Sequence, residues 1–208
     1  MPSRLLLSTN NRGKVAEYRD IFGDLPCELV TPAELGLEIE VAETGRTYAE
    51  NAMLKARAFA QASGLVALAD DSGLEVDALG GEPGMHSHRY SGGGDADRCR
   101  LLLARLQGVP AGQRTARFRC FIVIATPGGE LYTCEGMCPG VILDEPRGTG
   151  GFGYDPVFLL PELGRTMAEL EPEEKNRLSH RGRAGRKARE VLLQLFRIRG
   201  RAGGQTRT

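Results

Sequence analysis

The chain has 208 residues, zero formal net charge and 41% hydrophobic residues, enough to bury a core in one large domain or two small lobes. Neutral overall charge removes any bulk attraction to nucleic acid or an anionic membrane, and the apolar run Leu5–Leu7 is too short for a signal peptide, while no later run reaches the ~20 residues of a membrane helix. The five cysteines, Cys27, Cys99, Cys120, Cys134 and Cys138, are odd in number and lack CxxC spacing, which argues against a disulfide framework or zinc knuckle and fits reduced thiols in a cytoplasmic protein.

Arg4–Ser8 reads as a short apolar strand. The polar loop Thr9-Asn10-Asn11-Arg12-Gly13-Lys14 follows, then a helix with Val15, Tyr18, Ile21 and Phe22 on its inward side. Backbone N–H groups at the head of such a helix form an anion site to which Lys14 adds a point charge, although an ordinary polar strand-to-helix turn gives the same pattern. The loop lacks GxxxxGKS/T, so a P-loop fold is disfavoured. Glu43-Thr44-Gly45 places an acid before a tight turn, either in solvent or reaching a metal held elsewhere. Thr47 and Glu50 predict a capping box for a helix burying Ala52, Ala56, Phe59 and Ala60. That helix feeds an apolar run, Leu65–Ala69, of strand-like length.

At the end of this run stands Ala69-Asp70-Asp71-Ser72-Gly73, where the strand is expected to stop and a loop to begin. Adjacent carboxylates repel, and a cation or a reacting proton between them relieves the repulsion. The other reading is an Asx-turn with both side chains in water. Further on, a helix capped near Asp95 places Cys99, Leu102, Leu103 and Leu106 on one face. Arg117–Thr126 and Leu131–Met137, joined by Pro127-Gly128-Gly129, predict a hairpin, and short strands are expected at Val141–Leu143 and Pro156–Leu160.

The glycine-dense run Gly148 to Pro156 marks either a close backbone approach to a ligand, with Phe152 and Tyr154 available to stack on a base, or a loop whose Phe152 plugs the core. Glu174-Lys175 through Ser179-His180-Arg181-Gly182 is a cationic cluster at a helix start, suited to a polyphosphate or to solvent. The last helix is expected over Ser179–Arg199 with Ala184, Ala188, Val191, Leu192, Leu195 and Phe196 inward, followed by a disordered tail at 200–208. His86 and His88 fit no ligand pattern. The basic C-terminal helix admits a nucleic-acid module as a rival reading, but its continuous apolar face and the zero net charge oppose it.

These segments together, Thr9–Lys14, Glu43–Gly45 with Glu50–Ala52, Ala69–Leu74, Pro83-Gly84 with Arg89–Gly92, Gly151–Pro156 and Ser179–Gly182, resemble the motifs of the noncanonical purine triphosphate pyrophosphatases, the inosine/xanthosine triphosphatase family. The match runs in order over nearly the whole chain. His86 and His88 depart from it, standing where an aromatic and a small residue are expected.

The resemblance implies an α/β fold of two lobes around a long mixed sheet with flanking helices and a central nucleotide cleft, residues 1–199 forming one two-lobed domain. It implies a homodimer that hydrolyses ITP, dITP and XTP with Mg2+, while the neutral charge and short apolar runs lead to the expectation that neither nucleic acid nor membrane is a partner. By the same resemblance Asp71 is general base and metal ligand, Glu43 assists the metal, and Ser72 contacts substrate. Lys14 and the backbone of Thr9, Asn10, Asn11, Arg12 and Gly13 hold phosphates. Phe152, Gly153, Tyr154, Asp155, Lys175, His180 and Arg181 hold base and sugar, with Lys175 as donor to the purine 6-oxygen. The role of Asp70 stays open, and a nucleotide-binding regulatory protein without turnover is the alternative.

Overall fold

The computed structural model describes residues 3–202, and side chains over 3–197. In chain order the elements are β1 (Ser3–Leu7), α1 (Arg12–Ile21), β2 (Cys27–Val30), α2 (Tyr48–Ser63), β3 (Val66–Val76), β4 (Pro83–Gly84), α3 (Asp95–Arg105), β5 (Thr115–Ala125), β6 (Leu131–Ile142), β7 (Phe158–Leu160), β8 (Arg165–Thr166), α4 (Pro172–Leu178) and α5 (His180–Ala202), with short 3-10 turns between them. The 8 strands make one mixed sheet ordered β2-β1-β3-β5-β6-β7-β8, with β4 paired to β3. This is the α/β class expected from the sequence. Two compact units emerge: residues up to Asp71 with Phe121–Glu135 and the chain from Ala184, and Ser72–Cys120 with Gly136–Arg183.

In the first unit β1 pairs in parallel with both β2 and β3, Leu7 standing opposite Leu68. The chain goes out from β1 to β2 and returns past it to β3, so right-handed crossovers put α1 and α2 on opposite faces of the sheet. Strand alternation does the rest. Ala67 and Ala69 join Leu6, Val30, Val123 and Ala125 in a core closed by Ala52, Ala56, Phe59 and Ala60 of α2. Small alanines on both partners let the helix lie close to the strands. Thr47 caps α2 through the Glu50 N–H at 3.2 Å, but the Glu50 carboxylate accepts from the Arg46 N–H at 2.6 Å, one residue upstream of the reciprocal bond the capping box predicts.

The second unit packs Leu74 and Val76 of β3, Cys99, Leu102 and Leu106 from α3 and its C-cap, and Phe118, Phe158, Val157 and Met167 into one core. The separate strand expected at Val141–Leu143 is instead the end of β6, which runs unbroken through Pro139 and Gly140. Gly140 permits this, since a Cβ there would stand 2.5 Å from the Phe158 ring. The strand expected at Pro156–Leu160 is shorter, because Asp155–Val157 forms a 3-10 turn first. Sequence periodicity missed β2, β4, β8 and α4, all of seven residues or fewer. The last helix runs to Ala202, beyond the expected end at Arg199; residues 203–208 of the expected tail lie outside the described residues. Among the described residues no helix is long and apolar enough to cross a membrane.

Candidate active site

The acidic pair does not end a strand. β3 continues through Asp70, Asp71, Ser72 and Gly73 to Val76, and the two carboxylates are buried at 3% and 8% exposure. Both the loop and the solvated Asx-turn are thereby excluded. Nor do the two acids face each other, because neighbours along a strand project to opposite faces. Asp70 meets α1, where the Lys14 ammonium lies 3.0 and 2.9 Å from its two carboxylate oxygens. Asp71 follows Ala67 and Ala69 onto the α2 side, where the Asn51 amide donates to it at 3.1 Å. In sequence the apolar run stops at the first charge, whereas burial of both carboxylates against cationic and amide partners lets the strand run on.

Lys55 binds this cluster together, and sequence reading did not single it out. Its ammonium is 2.9 Å from Glu43 Oε1 and donates at 2.9 Å to the Asp70 carbonyl. Burial alone would lower its pKa, but the charges of Asp70, Asp71 and Glu43 outweigh burial and hold it above the ordinary lysine value. Burial is also the largest influence on Asp71 and pushes its carboxyl above the usual carboxylate range, against Lys55, the Asn51 hydrogen bond and Lys14, while Glu43 adds to the push. The available signal was helical spacing: Asn51 and Lys55 are one turn apart beside the buried stripe of α2.

The first-unit loop is pre-shaped at the carboxyl end of β1, where outgoing connections diverge and α/β sheets collect ligands. Asn11 caps α1 by accepting from the Lys14 N–H at 3.0 Å, Thr9 Oγ1 accepts from the Asn11 N–H at 3.2 Å, and Asn10 Oδ1 accepts from the Ala33 N–H at 3.2 Å. Arg12 is exposed and Gly13 half-buried in the first turn of α1. Among the described residues no three His, Cys, Asp or Glu side chains are grouped as a metal cage. What exists is a set of hard carboxylate oxygens on Glu43 and Asp71 with the Lys55 ammonium already set among them. That chemistry suits Mg2+, which binds through one or two carboxylates and takes its remaining ligands from water and phosphate.

In the second unit the aromatic and cationic residues converge. The Phe152 ring has Lys175 Nζ 4.7 Å and Arg181 Cζ 5.5 Å from its centroid. Lys175 pairs with Asp155 at 2.5 Å, their side chains 8% and 5% exposed, and Asp155 also accepts from the Phe152 N–H at 2.8 Å. His180 stacks on Phe118 with centroids 4.7 Å apart, and the Arg181 guanidinium donates to Ser72 Oγ at 2.9 Å. Tyr154 lies in the core and donates its hydroxyl to the Ser87 carbonyl at 2.9 Å. Gly153 sits on the loop between Phe152 and Tyr154 in the left-handed region, at φ 65.

The elbow between α4 and α5 sets His180 and Arg181. Ser179 Oγ accepts from the Gly182 N–H at 3.1 Å, and a Cβ on Gly182 would stand 1.7 Å from the Asn176 carbonyl oxygen. Gly182→Ala is therefore expected to force the elbow open and cost about 1–3 kcal/mol, read from the urea midpoint. An unchanged midpoint would show that the backbone yields freely there.

The Ham1 family profile matches residues 5–191 of this chain. A dITP/XTP pyrophosphatase of Methylococcus capsulatus is 53% identical across 98% of this chain and 100% of its own length. The dITP/XTP pyrophosphatase of Desulforamulus reducens is 51% identical, covering 93% of this chain and 97% of the relative. Among solved structures, a Ham1 protein of Coxiella burnetii superposes with a TM-score of 0.83 at 40% identity over 92% of this chain and 99% of that one. The Staphylococcus aureus Ham1 protein does so with 0.82 at 39% identity, over 93% and 100%.

Proposed function

The chain belongs to the Ham1 family, and from that membership we propose that it hydrolyses noncanonical purine nucleoside triphosphates, ITP, dITP and XTP, to the monophosphate and pyrophosphate. Residues 1–199 serve as one two-lobed catalytic domain, working as a cytoplasmic homodimer. The relatives' names give the substrate class. The observation that carries the chemistry is Asp71, a carboxylate buried beside Asn51 and Lys55 with its proton affinity raised.

A raised pKa suits a general base, since it strengthens the carboxylate as a proton acceptor near neutral pH. A water beside Asp71 gives its proton to the carboxylate as its oxygen attacks the α-phosphorus, and the bond to the departing pyrophosphate breaks in line. Lys14 and the N–H groups of Thr9–Gly13 orient the phosphates and offset their charge, the main task in phosphoryl transfer. Asp70 keeps the Lys14 ammonium in place. Asp71 and Glu43 would hold Mg2+, which supplies charge neutralisation at the phosphate oxygens and acidifies bound water.

The base falls to Phe152 with Lys175, His180 and Arg181, supported by Gly153, Tyr154 and Asp155, while Ser72 and its Arg181 partner contact the substrate. Hypoxanthine and xanthine carry an oxygen at the 6-position where adenine carries an amino group. A lysine donor satisfies the first and meets a second donor in adenine. Such a mismatch in a desolvated site is worth several kcal/mol, so hydrolysis of ITP is expected to exceed that of ATP by at least about a hundredfold. Pyrophosphate release over a substrate panel, with and without Mg2+, measures it. Equal rates on the two substrates remove the specificity, and binding without Mg2+-dependent release leaves a nucleotide-binding protein without turnover.

A further inference from the structure

The glycine-rich loop that carries Phe152 is held by residues that no site motif includes. The Gly153 N–H donates to Asp95 Oδ2 at 2.7 Å, and the Cys99 thiol lies 3.4 Å from the Gly153 carbonyl, to which it donates. Asp95 and Cys99 are one turn apart on α3, so a single helix face grips both sides of one residue. Behind them the Arg98 guanidinium pairs with Asp95 and donates to the carbonyls of His88 and Gly93 at 3.0 and 3.1 Å. Burial pushes the Cys99 thiol up to about 11, which keeps it protonated as a donor.

On the other side of Phe152, its own N–H is taken by Asp155, and the Gly150 N–H donates to the Ala168 carbonyl at 3.0 Å. The backbone is thus pinned immediately before and after the aromatic side chain. With glycine at 148, 150, 151 and 153, this segment has an unusually large conformational entropy to lose. Fixing it ahead of binding removes that cost from substrate affinity.

We propose that one face of α3, formed by Asp95 and Cys99, is a clamp on the glycine-rich loop, with Asp95 a positioning residue that holds Phe152 in place and so contributes to selection of the purine base. The selection half of the proposal rests on the function proposed above. The clamp itself does not.

The test uses the full chain and three variants. Asp95→Ala removes the acceptor. Asp95→Asn keeps a carbonyl oxygen for the Gly153 N–H but loses the negative charge that pairs with Arg98. Asp97→Ala is the control, from the same turn, where the carboxylate serves the Gly94 N–H at 3.0 Å. Amide hydrogen exchange over 148–154 is read by mass spectrometry, alongside kcat and KM for dITP and dATP with Mg2+.

For Asp95→Ala, exchange is expected to speed up and KM for dITP to rise about tenfold with kcat held within about threefold, the preference for dITP over dATP falling. Asp95→Asn restores most of the protection and of the KM, and Asp97→Ala alters neither. Unchanged exchange in Asp95→Ala overturns the clamp, as does an equal effect in Asp97→Ala or no rescue by Asp95→Asn. Faster exchange with unaltered KM and preference overturns the role in base selection. A wild-type protein inert toward dITP overturns the functional reading instead, and the exchange comparison still decides the clamp.

Discussion

Asp71→Asn is expected to lower turnover by about a thousandfold, the span a general base contributes, while nucleotide affinity stays within about tenfold because charge is lost but little volume. The variant is also expected to melt no lower than wild type near neutral pH. Burial raises the Asp71 pKa in the fold, so between its unfolded and folded values the native state binds more protons than the unfolded state. Stability from this group is therefore full below the unfolded pKa and is lost as pH rises through the folded one. An asparagine avoids that loss and still accepts from Asn51. The gain in melting temperature should shrink as the pH falls toward the ordinary carboxylate value of about 4, because the folded wild-type carboxyl, with its raised pKa, has already taken up its proton on the way down. Pyrophosphate release, a nucleotide titration and thermal melts at both pH values read all three. Near-normal turnover would remove Asp71 as the base, and lost turnover with a lowered melting temperature would make its duty structural.

Lys175→Met should have the second largest effect, on stability and on base choice together. The Lys175 and Asp155 side chains are almost wholly buried, and removing the ammonium strands a carboxylate that also holds the Phe152 N–H. Breaking such a pair from one side costs about 3–5 kcal/mol. Pairing Lys175→Met with Asp155→Asn removes the uncompensated charge and keeps an acceptor for Phe152, so most of the stability should return. The preference for ITP over ATP should not. It is expected to stay at least about tenfold below wild type, because the proposed donor to the 6-oxygen is absent. A double variant that regained both would show Lys175 to be only a counter-ion for Asp155.

Much of this protein can be read along the chain. The buried faces of α1, α2, α3 and α5, the hairpin turning at Pro127–Gly129 and the ordered run of motifs were visible, because helical periodicity, glycine turns and motif spacing are local properties. Short elements such as the edge strand Cys27–Val30 and the helix Pro172–Leu178 escaped, being too brief to show a period and stabilised mainly by their neighbours. The missed polar residues have a similar explanation. Lys55 is one lysine on a helix until Glu43 and the Asp70 carbonyl are brought to it, and Asp95 looks like an ordinary first-turn acid until Gly153 meets it.

The sequence by itself determined the α/β class and the family, and it marked the segments to which the proposed chemistry is assigned. Tertiary structure alone decided that Asp70 and Asp71 lie within a continuing strand and have different partners, Lys14 for one and Asn51 for the other. The reason is physical: adjacency in sequence makes two carboxylates look like a pair, but the pleat turns neighbouring side chains to opposite faces, and only the packing of α1 and α2 on those faces fixes what each one meets.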